Sequence, residues 1–318
     1  MSEPISTPAA QPPGAWRRLT RNRVAIAAML ILAAIAFIAI LGPTLLRGRY
    51  DPETPTAAKL VTPSAANYFG TDMNGRDVFS RVIQGARISL IVGLCGALVS
   101  FFVGTTYGLI AGYVGGRTDN LMMRFVEMLH SVPRLIIVIV AIFTFGPWLE
   151  GFLHDAQSSR LLRYIVPPGA EGYAKIMILI LCLGLIEWLA MARIVRGQVL
   201  ALKEQQFVLA ARALGQSHTR ILLRHLLPNL IGVIVVYLTL TIPAVILDES
   251  FLSFLGLGIN DPQASWGSLL SDGKNVINPI HSYWWLLLFP AAAMSLTLVA
   301  LNFLGDALRD ALDPRARR

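Results

Sequence analysis

Three carboxylates stand in or beside stretches of the chain that are otherwise almost free of charge. Glu187 lies in the apolar run Ile176–Ala192, and Asp248 and Glu249 directly follow the uncharged run Leu226–Leu247. A carboxylate among apolar residues is costly to bury, so it usually faces a cavity or a partner. Two such groups brought together could act as general acid and general base. The alternative is a charge at the level of lipid headgroups, which fits Asp248 better than Glu187.

No strong catalytic motif accompanies these carboxylates. The nearest approach to a phosphate-binding loop is Gly267–Asn275, whose spacing is one residue too long and whose last position is Asn instead of Ser or Thr. The five histidines are dispersed without a His-Glu-x-x-His pair, and no Gly-x-Ser-x-Gly occurs. The sequence therefore predicts a non-catalytic chain that binds no cofactor or metal of its own.

The composition assigns most of the chain to a lipid environment. Only 14% of the 318 residues are charged and the mean hydropathy is +0.60, whereas soluble proteins carry about 25% charge. Apolar runs of about 18 residues or more can cross a bilayer as helices, since lipid offers backbone groups no partners. We expect an all-α integral membrane protein with six transmembrane helices. The six runs, of which the third and fourth are weaker, are Val24–Leu41, Ile88–Val114, Leu135–Leu149, Ile176–Ala192, Leu226–Leu247 and Tyr283–Gly305.

The distribution of basic residues predicts the orientation of these helices. If the N-terminus is inside, the inside segments hold 17 of the 27 Lys and Arg residues, which fits the positive-inside rule. The net charge of +8 then reflects topology, so nucleic-acid binding is not predicted. The expected organisation is a cytoplasmic tail, a first transmembrane helix, an outer linker with an amphipathic helix, a five-helix core and a second cytoplasmic tail: 1–23, 24–42, 43–87, 88–306 and 307–318.

Local signals mark the connections between the runs. Apolar residues at helical spacing after Gly75 predict a short amphipathic helix on the outer surface before the second run. In the inside segment 115–134, two glycines end one helix and Asp119 or Asn120 is expected to cap the next. Pro133 should kink or restart that helix. A turn-rich insertion at 248–282 is expected outside. Neither cysteine has a reactive setting, and both lie in the runs, so a disulfide is not expected.

Between the fourth and fifth runs lies a basic, alanine-rich segment, Phe207–Asn229, whose pattern exceeds what a connector needs. Phe207, Ala210 or Ala211, and Leu214 fall on one face of a helix. The alanines make the apolar face small, which would allow a partner to approach closely. The alternative is a helix that lies at the headgroups of the membrane surface.

The second half of this segment predicts a turn and another helix. Gly215 suits a left-handed C-terminal cap, and Ser217 suits the N-cap of a helix that enters the fifth run at Pro228. The whole is expected to be a short helix, a glycine turn and a second helix on the inside.

This segment resembles the signature loop of ABC-importer permease subunits. The match comprises Leu209-Ala210-Ala211, then Gly215, then Leu227-Pro228. Two positions depart from the family pattern, with Leu209 in place of Glu and His225 in place of Ile. Four further stretches resemble the C-type permeases of dipeptide, oligopeptide and nickel importers: "YFGTDMNGRDVFSRVIQGARISL", "ESFLSFLGLG", "SWG" and "NFLGDALRDALDP". The likeness covers nearly the whole chain except 1–15 and about 150–172, a loop from which we derive no role.

The resemblance implies an assembly in the bacterial cytoplasmic (inner) membrane, with both termini cytoplasmic. It implies a heterodimer with a second permease, two ATPase subunits that bind ATP and Mg inside, and a substrate-binding protein outside. The segment 203–228 would be the coupling segment, with Ala211 facing a groove of an ATPase subunit. Glu187 and Glu249 are candidates for the translocation path. The implied coupling residues are Leu209, Ala210, Ala211, Arg212, Gly215, Ser217, Leu227 and Pro228.

Other functions remain as alternatives. Import of di- or oligopeptides is expected, and nickel or another small solute is the alternative within the same machinery. An intramembrane enzyme would need paired carboxylates at matching depth. The run ends put Glu187 near the inner face and Glu249 near the outer face, which argues against an enzyme. A gated channel would not need the coupling segment.

The predicted topology can be tested with single cysteines in a background lacking Cys95 and Cys182. An impermeant thiol reagent applied to intact cells or spheroplasts should label cysteines at outside positions and spare the inside one. Labelling at position 217 with none at position 64 would invert the topology. The substitutions are Ser64→Cys, Ser158→Cys and Ser271→Cys outside, and Ser217→Cys inside.

Overall fold

The computed structural model describes residues 18–46, 50–55, 58–158, 170–277 and 281–312, and within them the chain is helical. The one β-type pairing among these residues is an isolated bridge between Thr71 and Asp77. Residues 1–17 and 313–318 of the predicted tails and residues 159–169 of the loop lie outside the described residues. The helices, numbered along the chain, are α1 Arg23–Leu45, α2 Val78–Val114, α3 Gly116–Ser131, α4 Arg134–Ser158, α5 Ala174–Leu202, α6 Gln206–Ala213, α7 His218–Ile221, α8 Leu227–Phe254, α9 Trp266–Asn275 and α10 Trp285–Leu312.

Six helical stretches in the described chain are long and apolar enough to cross a membrane, which confirms the predicted fold class. They are longer than the apolar runs because the helices continue past them. The first begins at Arg23, where Oδ1 of Asn22 accepts hydrogen bonds from the backbone N–H groups of Val24 and Ala25 at 3.0 and 3.3 Å. It packs against the C-terminal part of α10 at Ala307.

The closest helix pair in the fold is α2 with α5. Gly104, Gly108 and Gly112 recur every four residues on one face of α2. A Cβ atom added to Gly108 would lie 2.5 Å from the carbonyl oxygen of Ala192, and one added to Gly112 would lie 2.8 Å from Cβ of Val199. Glycine at these positions therefore lets the two backbones touch, as in many membrane helix pairs. We call this contact the glycine seam.

The helix α2 begins well before the predicted second run and is continuous. The helix predicted before the second run is present, but it is the first part of α2, so only its placement as a separate element on the outer surface is wrong. Val78 and Val82 are buried there because Leu269 of α9 and Trp285 of α10 pack over them. A segment that was expected to lie on the outer surface is therefore part of the protein core.

The third predicted run is confirmed as α4, and a separate helix, α3, precedes it along α5. Val126 of α3 packs against Leu189 of α5, whereas Val138 of α4 packs against Leu183. The two helices meet at Pro133, partway along α5, as the predicted restart at this proline requires. The segment 115–134 is therefore not simply a surface loop.

The start of α3 corrects a predicted cap. Gly115 and Gly116 separate α2 from α3 with φ values of +70° and +60°, as the two glycines predict. The helix already begins at Gly116, so neither Asp119 nor Asn120 caps it. The carboxylate of Asp119 is buried and accepts hydrogen bonds from Nε and Nη2 of Arg196 at 2.6 and 2.7 Å. This bidentate pair joins α3 to α5.

The glycine seam predicts a contrast between two alanine substitutions. Gly108→Ala forces a methyl group against the backbone of α5, and overpacking of this kind costs roughly 1–3 kcal/mol. Gly197→Ala, on α5, meets no atom within 4 Å and improves helix propensity. Thermal unfolding of the purified chain in detergent should show a lower midpoint for Gly108→Ala only. Equal midpoints for the two variants would contradict the close packing.

Candidate functional site

The basic segment folds as the sequence predicts. The helix α6 ends in a Schellman motif, in which the N–H of Gln216 donates to the carbonyl of Ala211 at 3.1 Å and the N–H of Gly215 donates to Arg212 at 2.9 Å. Gly215 has a φ of +72°, which confirms the left-handed cap. Oγ of Ser217 accepts a hydrogen bond from the backbone N–H of Arg220 at 3.4 Å, which confirms the cap of α7. A π-helical turn, Leu222–Leu226, then joins α7 to α8.

The inner face of α6 is seated on the chain itself. Val208 is 0% exposed and Ala211 is 3% exposed. Both pack in one cluster with Val199 of α5, Ile221 of α7 and Leu226 before α8. The expectation that Ala211 faces a partner is wrong, because its side chain fills the contact between α6 and the spans. Helical periodicity gave the correct spacing but not which of the adjacent alanines points outward.

The outer face of α6 leaves large apolar side chains uncovered in this chain. Phe207 is 40% exposed, Leu209 is 46% exposed and Leu214 is 80% exposed, and Ala210 is exposed beside them. The exposed Arg212 lies near this face. We call Phe207, Leu209, Ala210 and Leu214 the outer α6 face. Its apolar side chains are typical of a surface that another protein covers.

Polar contacts fix the segment to the ends of the spans. The guanidinium carbon of Arg212 lies 5.2 Å from the ring centroid of Tyr113 at the end of α2. The hydroxyl of Tyr113 is 2.8 Å from Nδ1 of His218, and Nε2 of His225 is 2.8 Å from Oε1 of Gln216. One of the two residues that depart from the family pattern, His225, thus closes the turn after α6. Leu227 is half-buried, and Pro228 is exposed at the start of α8.

A second group of polar residues lies where the third span begins. Arg134, the first residue of α4, has Nη1 3.4 Å from Oε1 of Glu187 on α5 and Nη2 3.0 Å from Oδ1 of Asp248 on α8. One guanidinium contacts both carboxylates, so Glu187 on α5 and Asp248 on α8 lie at similar depth in the bundle. The prediction that Glu187 and Glu249 lie near opposite faces is therefore wrong. The ends of apolar runs do not mark depth, because both helices extend beyond their runs.

Glu249 occupies a different environment from its neighbour Asp248. It is 0% exposed, and its carboxylate accepts hydrogen bonds from the hydroxyls of Ser89 at 3.1 Å, Ser250 at 3.3 Å and Ser253 at 2.7 Å. Ser89 belongs to α2, so this group joins α2 to α8 inside the core. The sequence singled out Glu249 but not the serines that surround it.

An ion-pair network that the sequence did not reveal lies at the start of α2. Arg76 contacts Asp72 at 2.8 Å and Asp261 at 2.9 Å, and Arg81 contacts the same two carboxylates at 3.2 and 3.1 Å and Asp272 at 3.3 Å. Burial alone would raise the pKa of Asp261, but hydrogen bonds from Arg76 and the charge of Arg81 lower it. Burial raises the pKa of Asp272, and Arg81 only partly offsets this. Asp261 and Asp272 lie far along the chain from Arg76 and Arg81, so no local pattern could predict these contacts.

The chain is similar to proteins of known classes along nearly all of its length. A family described as "Binding-protein-dependent transport system inner membrane component" matches residues 104–318. A family described as "N-terminal TM domain of oligopeptide transport permease C" matches residues 14–63. The two matches together cover the first transmembrane helix and the core from residue 104 onward.

Curated relatives cover almost the whole chain. The dipeptide transport system permease protein DppC of Bacillus subtilis is 45% identical to this chain over 304 residues. The alignment covers 96% of this chain and 86% of that protein. The identity to the oligopeptide transport system permease protein OppC of Escherichia coli K12 is 44% over 305 residues, with 95% and 91% coverage. Among solved structures, an inward-facing MetNI methionine ABC transporter chain aligns with a TM-score of 0.50 and 18% identity, covering 74% of this chain and 98% of that chain. That likeness supports the fold.

The turn after α6 predicts different outcomes for two substitutions of Gly215. A Cβ atom there would meet nothing within 4 Å, so any cost arises from the backbone. The β-branched side chain in Gly215→Val disfavours positive φ, whereas Asn adopts it readily. Trypsin should therefore cleave after Arg212 faster in Gly215→Val than in the wild type or in Gly215→Asn. Equal cleavage rates in all three proteins would contradict the ordered turn.

Proposed function

The chain belongs to the family of binding-protein-dependent transport system inner membrane components, and from this premise we propose that it imports di- or oligopeptides as one permease subunit of an ATP-driven transporter. As a member of this family with six apolar helices, it is a multi-pass membrane protein. The names of its curated relatives support dipeptides or oligopeptides as the substrate and do not favour nickel.

The proposed assembly has the chain pair with a second permease in the bacterial inner membrane. Two ATPase subunits would bind ATP and Mg on the cytoplasmic side, and a substrate-binding protein would dock on the opposite side. Both termini would be cytoplasmic. The excess of Lys and Arg in the segments assigned to the inside supports this orientation.

The observation that carries the proposal is the outer α6 face. It combines large exposed apolar side chains with the nearby cation Arg212, in a loop that sits between two spans. We assign this face to contact with an ATPase subunit. Within the implied coupling set, Leu209, Ala210 and Arg212 would reach the partner, while Ala211 seats the helix on its own chain.

The contacts beneath α6 support transmission of a partner's movement to the spans. The cluster around Val208 links α6 to α5, the ring of Tyr113 links it to α2, and the continuous turn into α8 links it to the fifth span. A displacement of the outer α6 face would therefore move several helices together. Closure of ATPase subunits would then tilt the spans between two states, as in other rigid-body transitions.

An intramembrane enzyme is the alternative of a different class. The argument from depth against it no longer holds, since Glu187 and Asp248 lie close to one another. Both carboxylates are held by Arg134, however, and the curated relatives are named as transport permeases. The family of the chain and the outer α6 face favour the transport function.

The proposed ATPase contact predicts the effect of a charge on the outer α6 face. Leu214→Asp adds a carboxylate to a side chain that is 80% exposed, so the chain itself should fold normally. Burial of that charge against a partner costs several kcal/mol, about 3–5. We expect Leu214→Asp to lose ATPase subunits on co-purification and to lose peptide uptake.

A matched control introduces the same charge elsewhere in the loop. Gln205→Asp lies at the exposed N-cap of α6, where Asp is favoured, and it should retain the ATPase subunits. Ala211→Glu should instead destabilise the isolated chain, because that position is internal. If Leu214→Asp keeps both the ATPase subunits and uptake, the outer α6 face does not bind them.

A further inference from the structure

A cavity of about 360 Å³ opens at the break between α3 and α4. It is lined by the end of α3, the start of α4 and one side of α5, including His130, Pro133, Arg134 and Glu187. The cavity is large enough for a small ligand, since such sites start at about 300 Å³. Its position partway along α5 puts it between the two ends of the bundle and not at a surface loop.

The charges at and beside this cavity are unequal, since Arg134 and Glu187 line it and Asp248 lies next to Arg134. The Arg134 guanidinium faces two carboxylates, so one cation meets two anions within hydrogen-bonding reach. The side chain of Arg134 is 55% exposed, whereas those of Glu187 and Asp248 are 16% and 10% exposed. Because these carboxylates have so little contact with water, a second cation would stabilise them. The exposed guanidinium can still bind an anion.

The helix ends that meet between α3 and α4 add backbone groups of both partial charges to the cavity. The last turn of a helix presents carbonyl groups without helical partners, and the first turn of the next presents free N–H groups. The end of α3 at Ser131 and the start of α4 at Arg134 meet at the cavity.

We propose that this cavity binds the two charged ends of a short peptide during its passage through the transporter. The peptide carboxylate would pair with Arg134, and the peptide ammonium group would pair with Glu187 and Asp248. This inference rests on the proposed peptide import and assigns a substrate site within it. Glu249 is not part of the site, because its carboxylate is enclosed by serine hydroxyls.

A purely structural role for the three charges is the competing explanation. In that case Arg134 would only fasten α4 to α5 and α8. The exposure of Arg134 and the adjacent cavity favour a ligand, because a fastening ion pair needs neither.

Photochemical capture in the complete transporter distinguishes the two explanations. The photoreactive residue p-benzoylphenylalanine replaces Ile137, which lines the cavity, or Ile136, its exposed neighbour that does not. The probe is radiolabelled trialanine, supplied with the binding protein and ATP to transporter in proteoliposomes. We expect capture by the residue at position 137 and little at position 136. The same residue in place of Ala190 repeats the test from α5.

The charges are then tested in the capturing background. Glu187→Gln, or Asp248→Asn if the first variant does not assemble, should reduce capture by about tenfold or more, as expected for loss of a hydrogen bond between charged groups. Glu127→Gln, an exposed position on α3, should leave capture unchanged. ATP hydrolysis stimulated by the binding protein should persist in all three.

The remaining outcomes would overturn the ligand site or refute peptide import. Equal capture at positions 136 and 137, or capture at 137 that is unaffected by Glu187→Gln, would overturn the proposal. Failure of both Glu187→Gln and Asp248→Asn to assemble would also overturn it and assign the charges a structural role. Absence of trialanine uptake by the unmodified, assembled transporter would instead refute peptide import itself.

Discussion

The glycine seam between α2 and α5 is the contact on which the rest of the structure depends. Lipid gives apolar side chains no reason to leave it, so helices associate in a membrane mainly through close packing and polar contacts. Gly104, Gly108 and Gly112 provide that packing along one face of α2. The helices α3 and α4 then follow α5, and α8 packs against α2 through Ile246, close to Gly93.

The same pair of helices provides the seat for α6. Leu109 of α2 and Val199 of α5 belong to the cluster that holds Val208 and Ala211. The loop is therefore an extension of the span core and not a flexible connector. This explains why one face of α6 is buried while the outer α6 face remains available. A partner that binds the outer α6 face would act on the spans through packed side chains.

The sequence was sufficient for the features that depend on local pattern. Long apolar runs predicted the six spans, and the type of residue at Gly215 and Ser217 predicted the turn and cap in the basic segment. These patterns are predictive because each constraint acts on one short stretch of chain. In lipid every backbone group needs a hydrogen-bond partner within its own helix, and a positive φ favours glycine at a single position.

Features that depend on distant contacts could not be predicted in this way. The pairing of Arg134 with Glu187 and Asp248 joins three helices, and the outer network joins Arg81 to Asp261. The inward orientation of Ala211 depends on the surface beneath α6, which the local sequence does not encode. The places of Glu187 and Glu249 relative to the apolar runs also gave a wrong prediction of their depth, because a helix does not end where its apolar residues do.

The central claim is that α6 and the spans beneath it move as one body, and a distance between spin labels tests it most directly. In a background lacking Cys95 and Cys182, labels are attached through Gln205→Cys at the N-cap of α6 and Phe102→Cys on α2, both of which are exposed. Double electron–electron resonance is measured in the complete transporter without nucleotide and with ATP trapped. The account predicts one narrow distance that is the same in both states. A shift of about 5 Å, the rise of one helical turn, or a broad distribution in either state would contradict it.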